Sequence, residues 1–147
     1  MRKSKENIAK LTHTTSLKVR FSEVDSLHIV WHGEYVKYME DGREAFGLKY
    51  GGIGYMDIYE NGYLAPMVDV KIQYKRSLRC NDIATVEVRY IDTDAAKICF
   101  EYIIRNAANG EIVATGSSVQ VFLDSNQELQ LLSPKFYLDW KKRWGVR

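Results

Sequence analysis

Apolar side chains at Leu17, Val19 and Phe21 alternate with Lys18, Arg20 and Ser22, the two-residue period of a half-buried strand. From Tyr35 the period lengthens. Tyr35, Tyr38, Met39, Gly42, Ala45 and Phe46 recur at helical spacing, and Glu34, Lys37, Asp41 and Glu44 share the opposite face. On that polar face Lys37 and Asp41 are spaced to pair one helical turn apart. Gly51-Gly52 and Gly54 follow closely, so the helix is predicted to stop near Gly47, glycine being favoured at helix ends over interiors. A short second helix is predicted over Tyr55 to Glu60, before Asn61-Gly62 turns the chain. Strand alternation then returns three times: Val68, Val70, Ile72 and Tyr74; Val86, Val88 and Tyr90; Ile98, Phe100, Tyr102 and Ile104. A last strand run from Glu111 to Leu123 follows Asn109-Gly110, a strong hairpin signal that makes the two flanking strands antiparallel neighbours. Pro134 to Trp144, with Phe136, Trp140 and Trp144 among lysines, reads as a terminal helix with proline in its first turn. Residues 1 to about 15 are polar and without period, which predicts a loose arm.

The order is strand, helix, then four strands in a meander. It predicts an α+β domain in which one main helix covers a curled antiparallel sheet of about five strands. A chain of 147 residues suits one such domain, spanning residues 1–147, and no repeat, low-complexity tract or linker divides it. A net charge of +2 with interspersed signs does not point to nucleic acid, so any basic site is local, as at Lys75, Arg76 and Arg79. No apolar run follows the charged start Met1-Arg2-Lys3-Ser4-Lys5-Glu6, and none elsewhere is long enough to cross a bilayer. The two cysteines, Cys80 and Cys99, lack metal-site spacing and cannot form a disulfide framework. A soluble cytoplasmic protein without membrane contact is expected.

The chemistry-bearing groups concentrate in Glu23-Val24-Asp25-Ser26-Leu27-His28-Ile29-Val30-Trp31-His32-Gly33, between the first strand and the main helix. The first N–H groups of a helix have no partner within it and sit at the positive end of its dipole, so they can polarise a carbonyl oxygen set against them. A nearby carboxylate can then attack or activate water. Taken alone, an aspartate before a helix is an ordinary turn or capping residue. His28 and His32 are four apart, but Ile29-Val30-Trp31 reads extended and no HExxH motif is present, so no metal site is expected. Gly51-Gly52-Ile53-Gly54 follows a helix and lacks the lysine and hydroxyl residue of a phosphate loop. Tyr35, Tyr38 and Phe46 fit a core stripe, although a buried Tyr35 hydroxyl needs a polar partner.

The run from Phe21 through Asp25, Val30-Trp31-His32 and Tyr35-Val36-Lys37-Tyr38-Met39-Glu40 resembles the signature of 4-hydroxybenzoyl-CoA thioesterase-like proteins. The shared pattern is an aspartate, then Val-aromatic-His, then Tyr-x-x-aromatic-x-acid. It matches without gaps from Asp25 to Tyr35, and the likeness in strand order extends to about Leu123. The resemblance implies a hotdog fold and hydrolysis of an acyl-coenzyme A thioester. Asp25 would be the catalytic carboxylate, either a nucleophile forming a mixed anhydride or a general base on water. The helix start near His32 would polarise the carbonyl, and His32 would orient acid, water or substrate. Tyr35, His28 and Trp31 would line the substrate site. Lys75, Arg76 and Lys97 would meet coenzyme A phosphates or else form a solvated cluster. Glu40 reads more readily as paired with Arg43 on a solvated face than as a second acid. The family often has glycine three residues after the aspartate, where this chain has His28, a group able to narrow the acyl pocket or carry a proton.

No cofactor is implied beyond the coenzyme A of the substrate. An acyl carrier protein is an alternative donor, and the site is expected at the interface of a homodimer, with a homotetramer as the larger assembly. Two rival readings stand beside hydrolysis. A non-catalytic acyl-CoA binding or sensing module is motivated by His28, and a hotdog hydratase or dehydratase is disfavoured by the Asp25 to Tyr35 spacing.

Overall fold

The structure, a computed structural model, describes residues 11–147. Five strands, β1 (Thr12–Lys18), β2 (Met67–Tyr74), β3 (Ile83–Ile91), β4 (Lys97–Asn106) and β5 (Ile112–Val121), form one sheet in the order β1-β3-β4-β5-β2. Every pairing is antiparallel. Helix α1 (Glu34–Lys49) lies against it, α2 (Tyr55–Glu60) follows, and α3 (Lys135–Arg143) ends the fold. This is the α+β hotdog arrangement expected from the pattern.

The alternation in the meander decides which face meets the helix. Ala84, Val86, Val88 and Tyr90 of β3 and Ile98, Phe100, Tyr102 and Ile104 of β4 are buried, and their register places Val86 opposite Ile104. Gly110, at the β4–β5 turn, has φ of 73°, as a tight hairpin demands. On α1 the stripe Tyr35, Tyr38, Met39, Gly42 and Phe46 faces this layer. Gly42 permits the close approach: a Cβ there would lie 2.7 Å from Val86 Cγ1 and 2.9 Å from Val88 Cγ2.

Several expectations change. β1 begins at Thr12, so the loose arm cannot reach residue 15, and residues 1–10 lie outside the described part. The threonine-rich start of β1 hid its strand character, since its side chains are β-branched but polar. The strand also stops before Phe21, which falls in a 3-10 turn (Phe21–Glu23) and is 81 % exposed. Helix α1 runs past Gly47 to Lys49, because Gly47 sits at the contact with α2, where a Cβ would come 3.2 Å from Gly54 Cα. Lys37 pairs with Glu34 at 3.0 Å rather than with Asp41. Arg43 is fully buried instead of solvated, and Glu40 accepts a hydrogen bond from the Tyr55 hydroxyl at 3.1 Å. The apolar alternation of β2 is real, yet Val68, Val70 and Tyr74 remain exposed on this edge strand.

Helix α3, preceded by Pro134, closes one end of the core. Trp140 is buried and its indole donates to the Tyr50 carbonyl at 2.8 Å, while the Trp144 indole donates to Gly51 at 3.0 Å. The buried Lys141 ammonium reaches Asp92 at 2.8 Å, and Arg147 reaches the same carboxylate at 2.7 Å. Partial burial alone would raise the Asp92 pKa, but hydrogen bonds from Lys141 and Arg147 outweigh it and hold the carboxyl below its usual value. Such a group stabilises the fold fully above its unfolded pKa, about 3.9, and the contribution is lost as pH falls through the lower folded value. Asp92→Asn is therefore expected to lower the unfolding midpoint at pH 7, with the gap to wild type narrowing toward about pH 2. Denaturation followed by circular dichroism across that range checks it, and a gap that is independent of pH would contradict the assignment.

Candidate active site

Between β1 and α1 the chain folds back on itself as a short hairpin. Val24 bridges Val30, the Asp25 amide donates to the Ile29 carbonyl at 2.8 Å, and the His28 amide donates to Asp25 O at 3.0 Å. Asp25 Oδ1 accepts from the Leu27 amide at 2.8 Å, a side-chain turn that fixes the carboxylate and leaves Oδ2 outside that bond. His28 has φ of 65°, in the left-handed region. That explains structurally why glycine suits this position, and histidine is among the residues that tolerate it better than most. The His28 side chain is exposed.

The hairpin leads straight into α1 through Trp31, His32 and Gly33. Gly33 occupies the N-cap, and among the described residues no side chain caps the helix; the Glu34 amide donates to the Trp31 carbonyl at 2.9 Å, and the N–H groups after it are not taken by the usual serine, threonine or aspartate. The indole of Trp31 lies over Gly33: a Cβ there would fall 2.2 Å from the ring. Gly33 was not singled out from sequence, where its signal was only glycine at a helix start. Trp31 is half exposed and stacks at a tilt on His32, with ring centres 5.1 Å apart.

A set of hydrogen bonds ties this segment together and to the core. The Trp31 amide donates to Glu23 O and the Val30 amide to Leu78 O, both at 2.9 Å. The Tyr38 hydroxyl donates to Glu23 Oε1 at 3.0 Å, and the same oxygen accepts from the Arg20 amide at 2.8 Å. The Tyr74 hydroxyl donates to the His32 carbonyl at 2.8 Å, and its ring meets Tyr35 edge-on with centres 5.2 Å apart. Burial, with Glu23 adding to it, pushes the Tyr38 pKa far up, so this phenol remains a donor at every working pH. Burial also raises that of Tyr35, partly opposed by the Leu78 backbone. Tyr35 is thus a core residue beside the site, while Glu23, Tyr38 and Tyr74, which sequence reasoning did not assign to the site, position the loop.

The bond from Tyr74 to His32 brings the end of β2 to the start of α1, and with it Lys75 and Arg76. Both are exposed, and Arg76 pairs with Glu111 at 3.1 Å. Lys97 is not brought there. It opens β4 opposite Val121, whereas Tyr74 pairs with Ala114, itself opposite Ile104. Seven residues of strand, roughly 20 Å, separate the two ends. Among the described residues no group of three or more His, Cys, Asp or Glu is arranged to hold a metal ion. No helix among them is long and apolar enough to cross a membrane.

Residues 19–140 match the model of the thioesterase-like superfamily. YneP of Bacillus subtilis (strain 168), a candidate acyl-CoA thioesterase by its name, is 33% identical over 84% of this chain and 88% of its own. The chloroplastic acyl-acyl carrier protein thioesterase ATL3 of Arabidopsis thaliana is 29% identical over 77% of this chain and 59% of its own length. Among solved structures, the DHNA-CoA thioesterase of Staphylococcus aureus superposes with a TM-score of 0.80 at 23% identity, over 91% of this chain and 89% of the other. A mutant 4-hydroxybenzoyl CoA thioesterase, complexed with 4-hydroxybenzoyl CoA, superposes at 0.76 with 16% identity, over 88% and 98%. At these identities the two structures speak for the fold, and the sequence matches for the family. A carboxylate held in a hairpin before an uncapped helix, on a sheet wrapped about that helix, and a match across residues 19–140 make one conclusion plain: the chain belongs to the thioesterase-like superfamily.

Proposed function

We propose that the protein is an acyl-CoA thioesterase that releases a free acid and coenzyme A, with Asp25 as its catalytic carboxylate. The observation that carries the reading is the junction itself: Asp25 is fixed by the Leu27 amide immediately before a helix start that no side chain caps. The N–H groups of α1 that follow Glu34, whose own amide is bonded to the Trp31 carbonyl, would hold the thioester oxygen as charge develops on it. Asp25 would attack the carbonyl or deprotonate water, with His32, exposed beside Trp31, orienting the water or substrate. Trp31 and His28 would flank the acyl group, and Tyr35 would support them from the core. Lys75 and Arg76 would meet the coenzyme A phosphates. Lys97, at the far end of its strand, would have that role only toward a partner subunit.

The donor is acyl-CoA in this reading, with acyl carrier protein as the second carrier to assay. The working unit is a homodimer, able to pair further into a homotetramer. Its support is β2, an edge strand on which Val68, Val70 and Tyr74 are exposed and whose Tyr74 end meets the helix start. Cys80 and Cys99 are free thiols, consistent with a reducing compartment such as the cytoplasm.

Asp25→Asn is expected to lower kcat on acyl-CoA thioesters by roughly 10²-fold or more with an unchanged melting temperature. Thiol release over a panel of aromatic, short and long acyl groups measures it, and full activity in the variant would sink the mechanism. Gly33→Ala, which drives a methyl into the Trp31 ring, is expected to cut kcat/KM by about tenfold or more through misplacing the helix start. Equal kinetics in wild type and variant would show that Trp31 moves aside freely. Val70→Glu is expected to shift the protein from dimer to monomer by light scattering and to abolish turnover with it. An active monomer would remove the interface from the site.

A further inference from the structure

The contact between α1 and α2 buries a charge that thioester hydrolysis does not use. Arg43 is 0 % exposed, and among the described residues no ion pair includes it. Its Nε donates to Gln120 Oε1 at 3.0 Å and its Nη2 to the Ile53 carbonyl at 2.6 Å. Gln120 is held in turn by its amide donating to the Ala65 carbonyl at 2.7 Å. The guanidinium carbon lies 4.9 Å from the centre of the Phe100 ring and 5.2 Å from that of Tyr55. Burial lowers its pKa from the ordinary guanidinium value. Among the described residues Nη1 has no hydrogen-bond partner, and buried donors are rarely left so.

That nitrogen lies beside Gly47, which packs against Gly54. A Cβ on Gly47 would lie 3.2 Å from Nη1 and 3.2 Å from Gly54 Cα. Gly47 and Gly54 line a cavity of about 420 Å³ with Arg43, Leu48, Tyr55 and Met56. Leu48 and Met56 are exposed and apolar at its edge. Glu44 and Asp57 also border it, and Glu40 accepts a hydrogen bond from the Tyr55 hydroxyl. Burial and Glu40 push the Tyr55 phenol up to about 12, so it stays a donor to that carboxylate. Three carboxylates around one guanidinium repel an anion, whereas a neutral oxygen accepts from Nη1 without that penalty.

We propose that this cavity binds a neutral, mainly apolar small molecule through a single acceptor oxygen, a ketone, ether or hydroxyl, which Arg43 Nη1 holds by a hydrogen bond. Two sources share that chemistry. One is the distal part of a substrate's acyl group, a version that rests on the thioesterase reading: Arg43 lies ten residues, roughly 15 Å, along α1 from Gly33. The other is a separate small ligand.

The test titrates 2-octanone and octanoate into the full chain by calorimetry, with the Arg43 Nε–H resonance followed by NMR. Wild type is expected to bind the ketone at least about tenfold more tightly than the carboxylate, and the ketone to move the Arg43 resonance. Met56→Trp, a surface substitution that fills the mouth, and Arg43→Met are each expected to weaken ketone binding about tenfold or more. Should Arg43→Met fail to fold, Met56→Trp and the resonance decide alone. Hydrolysis of 11-oxododecanoyl-CoA against dodecanoyl-CoA separates the sources. A preference for the oxo substrate that Met56→Trp removes assigns the cavity to the acyl group. Ketone binding with no such preference assigns it to a separate ligand. A ketone that fails to bind up to its solubility limit, or that binds with the Arg43 resonance unmoved and with indifference to Met56→Trp, overturns the proposal. Inactivity on every thioester sinks the hydrolase reading and leaves the ketone titration to judge the cavity.

Discussion

At Gly42 the backbone of α1 comes so near β3 that an added Cβ would meet Val86 and Val88 at 2.7 and 2.9 Å. The β-branched valines are stiff, so this contact sets how deep the helix rides in the sheet. Met39 settles similarly against Gly116, where a Cβ would come 3.0 Å from its sulfur. With that depth fixed, Tyr35 and Tyr38 are buried at the upstream end of the same stripe, and the Tyr38 hydroxyl can reach Glu23 across the top of the loop. The helix start and the Asp25 hairpin therefore inherit their placement from glycines in the core, well away from the candidate site itself.

Packing also explains why α1 can leave its first N–H groups free of a side-chain cap. Glycine in place of a capping side chain loses little stability, about a few tenths of a kcal/mol. Here a stripe of buried aromatic and aliphatic side chains holds the helix irrespective of its ends, so Gly33 can stand where a hydroxyl or carboxylate would otherwise sit. The same glycine admits the Trp31 ring. Function and packing meet at this one residue without conflict.

Much of the fold was legible because the meander strands alternate cleanly and the α1 stripe has an unbroken helical period. The second helix at Tyr55–Glu60 and the hairpin at Asn109-Gly110 were readable from their turns. β1 escaped in part because Thr12 to Ser16 offers β-branched but polar side chains, and hydropathy rather than shape marks a strand in a single sequence. Arg43 was misplaced for a related reason: charge reads as solvent-facing until Phe100, Tyr55 and Gln120 are seen to converge on it from three separate elements. At the site, Asp25, Trp31 and His32 were visible as one contiguous motif. Glu23 and Tyr38 fall in the same quoted run, but their role and that of Tyr74 were not legible, because it is a set of hydrogen bonds across 15 and 42 positions of sequence. Lys97 shows the converse limit, since likeness of charge carries no information about which end of a strand a residue occupies.

The strand order has a consequence for how the molecule reaches its folded state. β3, β4 and β5 are successive in sequence and adjacent in space, so they assemble through short hairpins. β1 and β2, which bracket the loop and α1 along the chain, attach at opposite edges of that meander. Their pairings are long-range, and long-range contacts form late and slowly. Closing the chain across the sheet is thus the step that draws the Asp25 hairpin, the start of α1 and the end of β2 together. An assembling chain would hold a nearly complete meander before it held the candidate site together, and loosening either edge in the finished protein would release that site first.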